Sequence, residues 1–138
     1  MRPVLVLPEA IWLGILAHCL DGQPHEACGL LAGHPADGRV LRWYPTANAA
    51  ASARVYTVEP RDHLRADRDA GAAGLQIMGV FHSHTHTDAY PSATDLAQAP
   101  DPTWHYVVVS LRHETPALRS YRLADGKIAE EPVVVDDR

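Results

Sequence analysis

Two histidines two residues apart, His82 and His84, stand at the end of the short apolar run Gln76–Phe81. A run of that length and character predicts a buried strand. Side chains on a strand alternate faces, so the two imidazoles project to the same side, roughly 7 Å apart at their Cα atoms. That spacing lets two ring nitrogens converge on one ion at about 2.0–2.1 Å each. Beyond a turn containing Pro91 comes Asp95, able to supply a third, anionic ligand. Two neutral nitrogens, one carboxylate and an open fourth position form the usual catalytic zinc arrangement, whereas structural zinc sites are closed by four protein ligands.

Each part also has a purely structural reading. Histidines mostly sit solvated or satisfied in cores, and Ser92 with Asp95 three residues on reads as a helix start favoured by capping and the helix dipole. Capping and ligation can share one turn of helix. The joint pattern is what stands out: His-X-His, seven residues, then Ser-X-X-Asp.

Those residues, with Glu26 upstream, resemble the motif of the JAMM (MPN-plus) metalloprotease family. Thr85 stands where many members have proline. The resemblance runs from about Glu26 to about Pro132. It implies an α/β fold, a three-layer α/β/α sandwich around a mixed sheet, related to the cytidine deaminases. It also implies hydrolysis of amide or isopeptide bonds at the C-terminus of ubiquitin-like proteins. Zn2+ would be held by His82, His84 and Asp95, Glu26 would serve as general base, and Ser92 would donate to the oxyanion. The longer wording from His82 to Asp95, together with Glu26–Gly29, His105–Ser110 and Leu118–Arg122, is similar to one bacterial branch. Members of that branch release cysteine from a ubiquitin-like sulfur-carrier protein with a C-terminal Gly-Gly. The alternative is a general isopeptidase or pro-form processing protease for such carriers. A scaffold without metal is the rival from another class, disfavoured because every motif residue is present.

Two side chains stay open. His86 continues the alternation of His82 and His84 and could be a ligand, a substrate contact or solvated. Cys28 follows Glu26 by two, so it could face the site as an oxidisable thiol or be a small buried apolar residue.

Positioning these groups falls to one domain of 138 residues, enough for a single core. A formal net charge of −5 shows no basic footprint for nucleic acid. Two cysteines make neither a disulfide framework nor a Cys-X-X-Cys site. No apolar run approaches the ~18 residues of a membrane span. Ala10–Leu20 superficially resembles an export signal, but Pro8, Glu9 and the lone Arg2 argue for an amphipathic helix and a cytoplasmic protein.

In chain order the expected elements are a strand at Val4–Leu7, a helix from Pro8 to Asp21, and a strand at Glu26–Ala32. A turn at Pro35–Gly38 leads to a strand at Arg39–Tyr44. A loop covers Thr46–Arg54, a strand Val55–Val58, and a charged helix Pro60 to about Ala73. After the histidine strand come a short helix from Ser92 to about Gln98 and a strand at Trp104–Leu111, whose β-branched run suits burial on both faces. A closing hairpin, Ala117–Leu123 and Lys127–Val135, turns at Asp125-Gly126.

Overall fold

A computed structural model describes residues 4–137 of the protein; Arg2, weighed above against export, lies outside them. One mixed eight-stranded sheet forms the middle layer. Its strands are β1 (Leu5–Pro8), β2 (Cys28–His34), β3 (Arg39–Thr46), β4 (Gln76–His84), β5 (His105–Ser110), β6 (Ala117–Ala124), β7 (Lys127–Glu131) and β8 (Val133–Asp136), in the order β7-β6-β5-β4-β2-β3-β1-β8. The helices are α1 (Glu9–Gly22), α2 (Pro60–Ala72) and α3 (Ala93–Ala97).

Alternation along the strands sorts the core into two layers. Leu31, Phe81, Val107 and Val109 face one side, where Ile15 and Cys19 of α1 cover them. Leu30, Val80, Tyr106 and Val108 face the other, under Ala66 of α2 and Leu96 of α3. β5 is buried along its whole length, as its β-branched run predicts. The result is helix–sheet–helix, an α/β architecture.

The second strand of the closing hairpin is where the expectation needs correcting. Asp125 and Gly126 both take positive φ, as the tight turn requires, and β7 pairs antiparallel with β6. The strand nevertheless stops at Glu131. Pro132 has no N–H to donate, and beyond it β8 pairs in parallel with β1 at the opposite end of the strand order. Glu131 and Val133 are two residues apart, within about 7 Å. The sheet therefore curls until its two edges meet at Pro132, whose carbonyl accepts from Leu5 N at 3.1 Å.

Val55–Val58 is also not a strand: only Val58 bridges, to Asn48. The Asn48 side chain takes the place of a ladder partner. Its Nδ2 donates to the Val55 carbonyl at 3.0 Å, and its Oδ1 accepts from Thr57 N at 2.9 Å. Helix α2 starts as Pro60 allows, with Glu59 capping Asp62 N at 3.0 Å. Its buried positions are the small Ala66 and Ala70, which let it lie close to the sheet.

Candidate metal centre

β4 runs antiparallel to β2 and parallel to β5, and its last residues end beside the start of β2, with Cys28 opposite His82. His82 and His84 share the face of Val80, under α2 and α3, while Ser83 points through to the other face. There Ser83 Oγ accepts from Ala27 N at 2.8 Å, and Ser83 N donates to the Ala27 carbonyl at 2.9 Å. This two-bond clamp fixes the residue next to Glu26. Glu26 itself precedes β2, which begins two residues later than the sequence suggests. Its carbonyl accepts from Asn48 Nδ2 at 2.9 Å and its N–H donates to the Ser52 carbonyl at 2.8 Å.

Asp95 arrives from the first turn of α3. Ser92 Oγ accepts from Asp95 N at 3.0 Å while Ser92 N donates to Asp95 Oδ2 at 2.8 Å, a reciprocal capping box. The same Oδ2 lies 3.0 Å from His82 Nε2 and 3.2 Å from His84 Nε2, and the two nitrogens are 3.1 Å apart. Helix cap and candidate ligand are one side chain. Glu26, His82, His84 and Asp95 are all buried, and each offers an atom within 4.8 Å of the others.

These groups fit a divalent ion. In a tetrahedral site with bonds of 2.0–2.1 Å, ligand atoms stand about 3.3 Å apart, close to the observed triangle. His84 Nδ1 lies 2.8 Å from the Asp88 carbonyl, which can only accept, so that nitrogen carries the proton. In the neutral ring Nε2 then presents a lone pair to the centre of the triangle, the outer bond that metal-ligating histidines usually make. Glu26 Oε1 is buried without any partner among the described residues. A buried carboxyl oxygen left unsatisfied is costly, and a polar ligand or water held beside an ion would supply what it lacks.

Electrostatics separate the two acids. Burial, opposed by His84 and assisted by Asp95, pushes Glu26 up to about 7. Asp95 is held far below the ordinary carboxylate range: burial raises it, but hydrogen bonds from His82 and His84 and from Ser92 N lower it more. Burial drives His82 down, toward the neutral form a ligand needs. Burial acts the same way on His84, yet the hydrogen bonds to Asp95 and Asp88 leave it raised. One acid is fixed as an anion, and the other can carry a proton near neutral pH.

Three contributors carry no local signature. Tyr56 stacks on the His82 ring, centroids 4.2 Å apart and planes 17° apart. Asn48 ties its segment to Glu26, and Asp88 orients His84. Ser83, also not singled out from the sequence, does carry a signal: a small polar residue between two same-facing histidines must point to the opposite face. His86 is exposed. Cys28 is buried, its thiol against Thr46 Oγ1 at 3.3 Å, and burial pushes it up to about 11. A thiol so raised is poorly reactive.

The pattern of prokaryotic homologues of the JAB domain matches residues 8–124. The chain belongs to that family. The CysO-cysteine peptidase of Mycobacterium tuberculosis is 41% identical over 136 residues, covering 96% of this chain and 91% of that protein. Among solved structures, protein DSY2949 of Desulfitobacterium hafniense has a TM-score of 0.89 at 33% identity, covering 97% and 94% of the two chains. The JAB1/MPN domain protein AF2198 of Archaeoglobus fulgidus, 17% identical with a TM-score of 0.60 over 95% and 98%, shows the shared fold. This JAB-family chain is thus a peptidase of the JAMM kind, as the His82–Asp95 wording implies. None of its helices among the described residues is long and apolar enough to cross a membrane.

The raised carboxyl sets a pH expectation for this JAB-family site. If Glu26 must be ionised to accept a proton, kcat/KM falls as pH drops through its pKa. A bound dication lowers that pKa from about 7 toward the ordinary carboxylate range. The acid limb should therefore lie between about 4.5 and about 7. A profile of the loaded enzyme that is flat down to pH 4 would rule Glu26 out as the titrating base.

Proposed function

We propose that the chain is a zinc-dependent peptidase that hydrolyses the amide bond between the C-terminal glycine of a ubiquitin-like sulfur-carrier protein and cysteine, releasing free cysteine. The observation that carries this is the convergence of His82 Nε2, His84 Nε2, Asp95 Oδ2 and a carboxylate oxygen of Glu26 at one buried point, with Glu26 Oε1 lacking a partner among the described residues. The Mycobacterium tuberculosis relative, named for CysO-cysteine, supports the substrate class.

His82, His84 and Asp95 would hold the zinc, which supplies Lewis acidity to activate water and polarise the scissile carbonyl. Glu26 Oε1 accepts the proton of the attacking water and returns it to the leaving amine nitrogen. Ser92 Oγ accepts from Asp95 N, which leaves its own hydrogen free to donate to the oxyanion. No acyl-enzyme forms. A cleft of about 240 Å3, lined by Tyr56, Val58, Val80, Trp104 and Asp95 among others, opens beside the site. An extended tail ending in Gly-Gly can come close to the centre there because glycine adds no side chain. The two cysteines are free and buried, which suits a reducing cytoplasm.

Ser92 does two jobs, so its removal has two readouts. Ser92→Ala should lower turnover by roughly 10²–10³, the usual cost of one oxyanion donor, and destabilise the fold by about 1 kcal/mol through the lost cap. Metal content measured on the same sample should stay near wild type. Normal turnover with only the stability loss would make Ser92 a cap and nothing more.

The substrate is tested by mass spectrometry of a carrier–Gly-Gly–Cys adduct incubated with the zinc-loaded protein. Loss of one cysteine residue, stopped by a chelator and restored by zinc, is expected. An intact adduct, or equal rates on unrelated unstructured peptides, would defeat the proposal.

A further inference from the structure

The segment between β3 and α2 is built onto the proton-handling side of the site. Glu26 is bonded to it twice, through Asn48 Nδ2 and the Ser52 carbonyl. Ser52 Oγ in turn accepts from Arg54 N at 3.0 Å and Val55 N at 3.3 Å. Two residues on, Tyr56 packs flat on His82. Arg54 therefore stands between a residue bonded to Glu26 and a residue stacked on His82.

Arg54 is exposed, and its guanidinium makes no hydrogen bond or ion pair with any described residue. That sets it apart from Arg39, Arg42, Arg65, Arg112, Arg119 and Arg122, each of which pairs with a carboxylate. Arg61 and Arg68 lie on α2. In a chain of formal net charge −5, this is a free cation in the loop that holds the general base.

Glu26 must reach the leaving nitrogen, so the leaving group lies on Glu26's side of the scissile bond. When that group is a single amino acid, its carboxylate is attached to the carbon next to the nitrogen. It is thus drawn toward Glu26, which repels it when ionised. A planar, always-charged guanidinium is the side chain that meets a carboxylate with two parallel bonds.

Granting the hydrolysis proposed above, we infer that Arg54 binds the free α-carboxylate of the terminal amino acid being released. The site would then favour a single C-terminal residue. An adduct whose terminal carboxylate is masked, or a lysine side-chain isopeptide, whose nitrogen has no carboxylate next to it, would bind less well.

The test compares two carrier adducts, one ending in cysteine and one in cysteinamide, with zinc-loaded wild type, Arg54→Ala, Arg54→Lys and Arg112→Ala. Zinc content and melting temperature confirm that each variant is loaded and folded. Wild type should prefer the free carboxylate by roughly 10- to 100-fold in kcat/KM, the range expected of a charge-assisted hydrogen bond. In Arg54→Ala that preference should collapse, mainly through KM, while Arg54→Lys keeps part of it and Arg112→Ala keeps it whole. Equal rates on both adducts in wild type would overturn the role of Arg54 and leave the hydrolysis standing. So would a preference that survives Arg54→Ala or is lost in Arg112→Ala. No cleavage of either adduct by wild type would defeat both proposals.

Discussion

Glu26→Gln should give a folded, metal-binding protein whose turnover is lower by about 10²–10⁴-fold, the span general acid–base catalysis usually supplies. The amide matches the carboxyl in shape, so the backbone bonds from Glu26 to Asn48 and Ser52 are undisturbed. What goes is the ability to take a proton at Oε1, the buried oxygen with no partner among the described residues. The substitution also removes an acid whose ionised form burial disfavours. Metal-free Glu26→Gln should therefore melt no lower than metal-free wild type at neutral pH. Metal content, melting temperature and turnover of one preparation decide the matter. Near-normal rates would end the general-base assignment, and loss of metal would make Glu26 a ligand.

The second large effect is expected at Asp95. Alanine there would remove both the candidate ligand and half of the capping box, which confounds the outcome. Asp95→Asn is the cleaner change, because its amide oxygen can still accept from Ser92 N and keep α3 started. It removes the one anion that His82 and His84 share. Zinc affinity should fall by more than the 10- to 100-fold typical of losing an outer-shell partner, and turnover should drop with it. At a free zinc concentration of 100 times the wild-type Kd, wild type gains about 2.7 kcal/mol from binding, whereas Asp95→Asn gains little. Calorimetric melting with and without zinc measures that gap. A variant that keeps stoichiometric zinc and the full thermal shift would remove Asp95 from the ligand set. The His82→Ala, His84→Ala double variant should behave the same way and start from a weaker core, since both rings are buried.

The sequence by itself determined the parts of this protein whose physics is local. Alternation put His82 and His84 on one face, Ser92 and Asp95 announced a capped helix start, and the Val107–Val109 run announced a strand buried on both sides. Asp125-Gly126 announced a turn with two positive φ values. Each rests on the period of a strand or on a preference satisfied within four residues. Tertiary structure decided everything that depends on which segments meet. The approach of Glu26 to His84 across two strands comes from the Ser83–Ala27 clamp, formed between residues 56 apart in sequence. Val55–Val58 has strand-forming residues, yet the Asn48 side chain satisfies its backbone and turns Tyr56 onto His82. The last strand was divided because Pro132 cannot extend a ladder and the curled sheet offered β1 as a new partner. The raised pKa of Glu26 belongs to the same class. A carboxyl is titrated by what surrounds it, and its surroundings here are assembled from β2, β4, α3 and a loop that no local preference brings together.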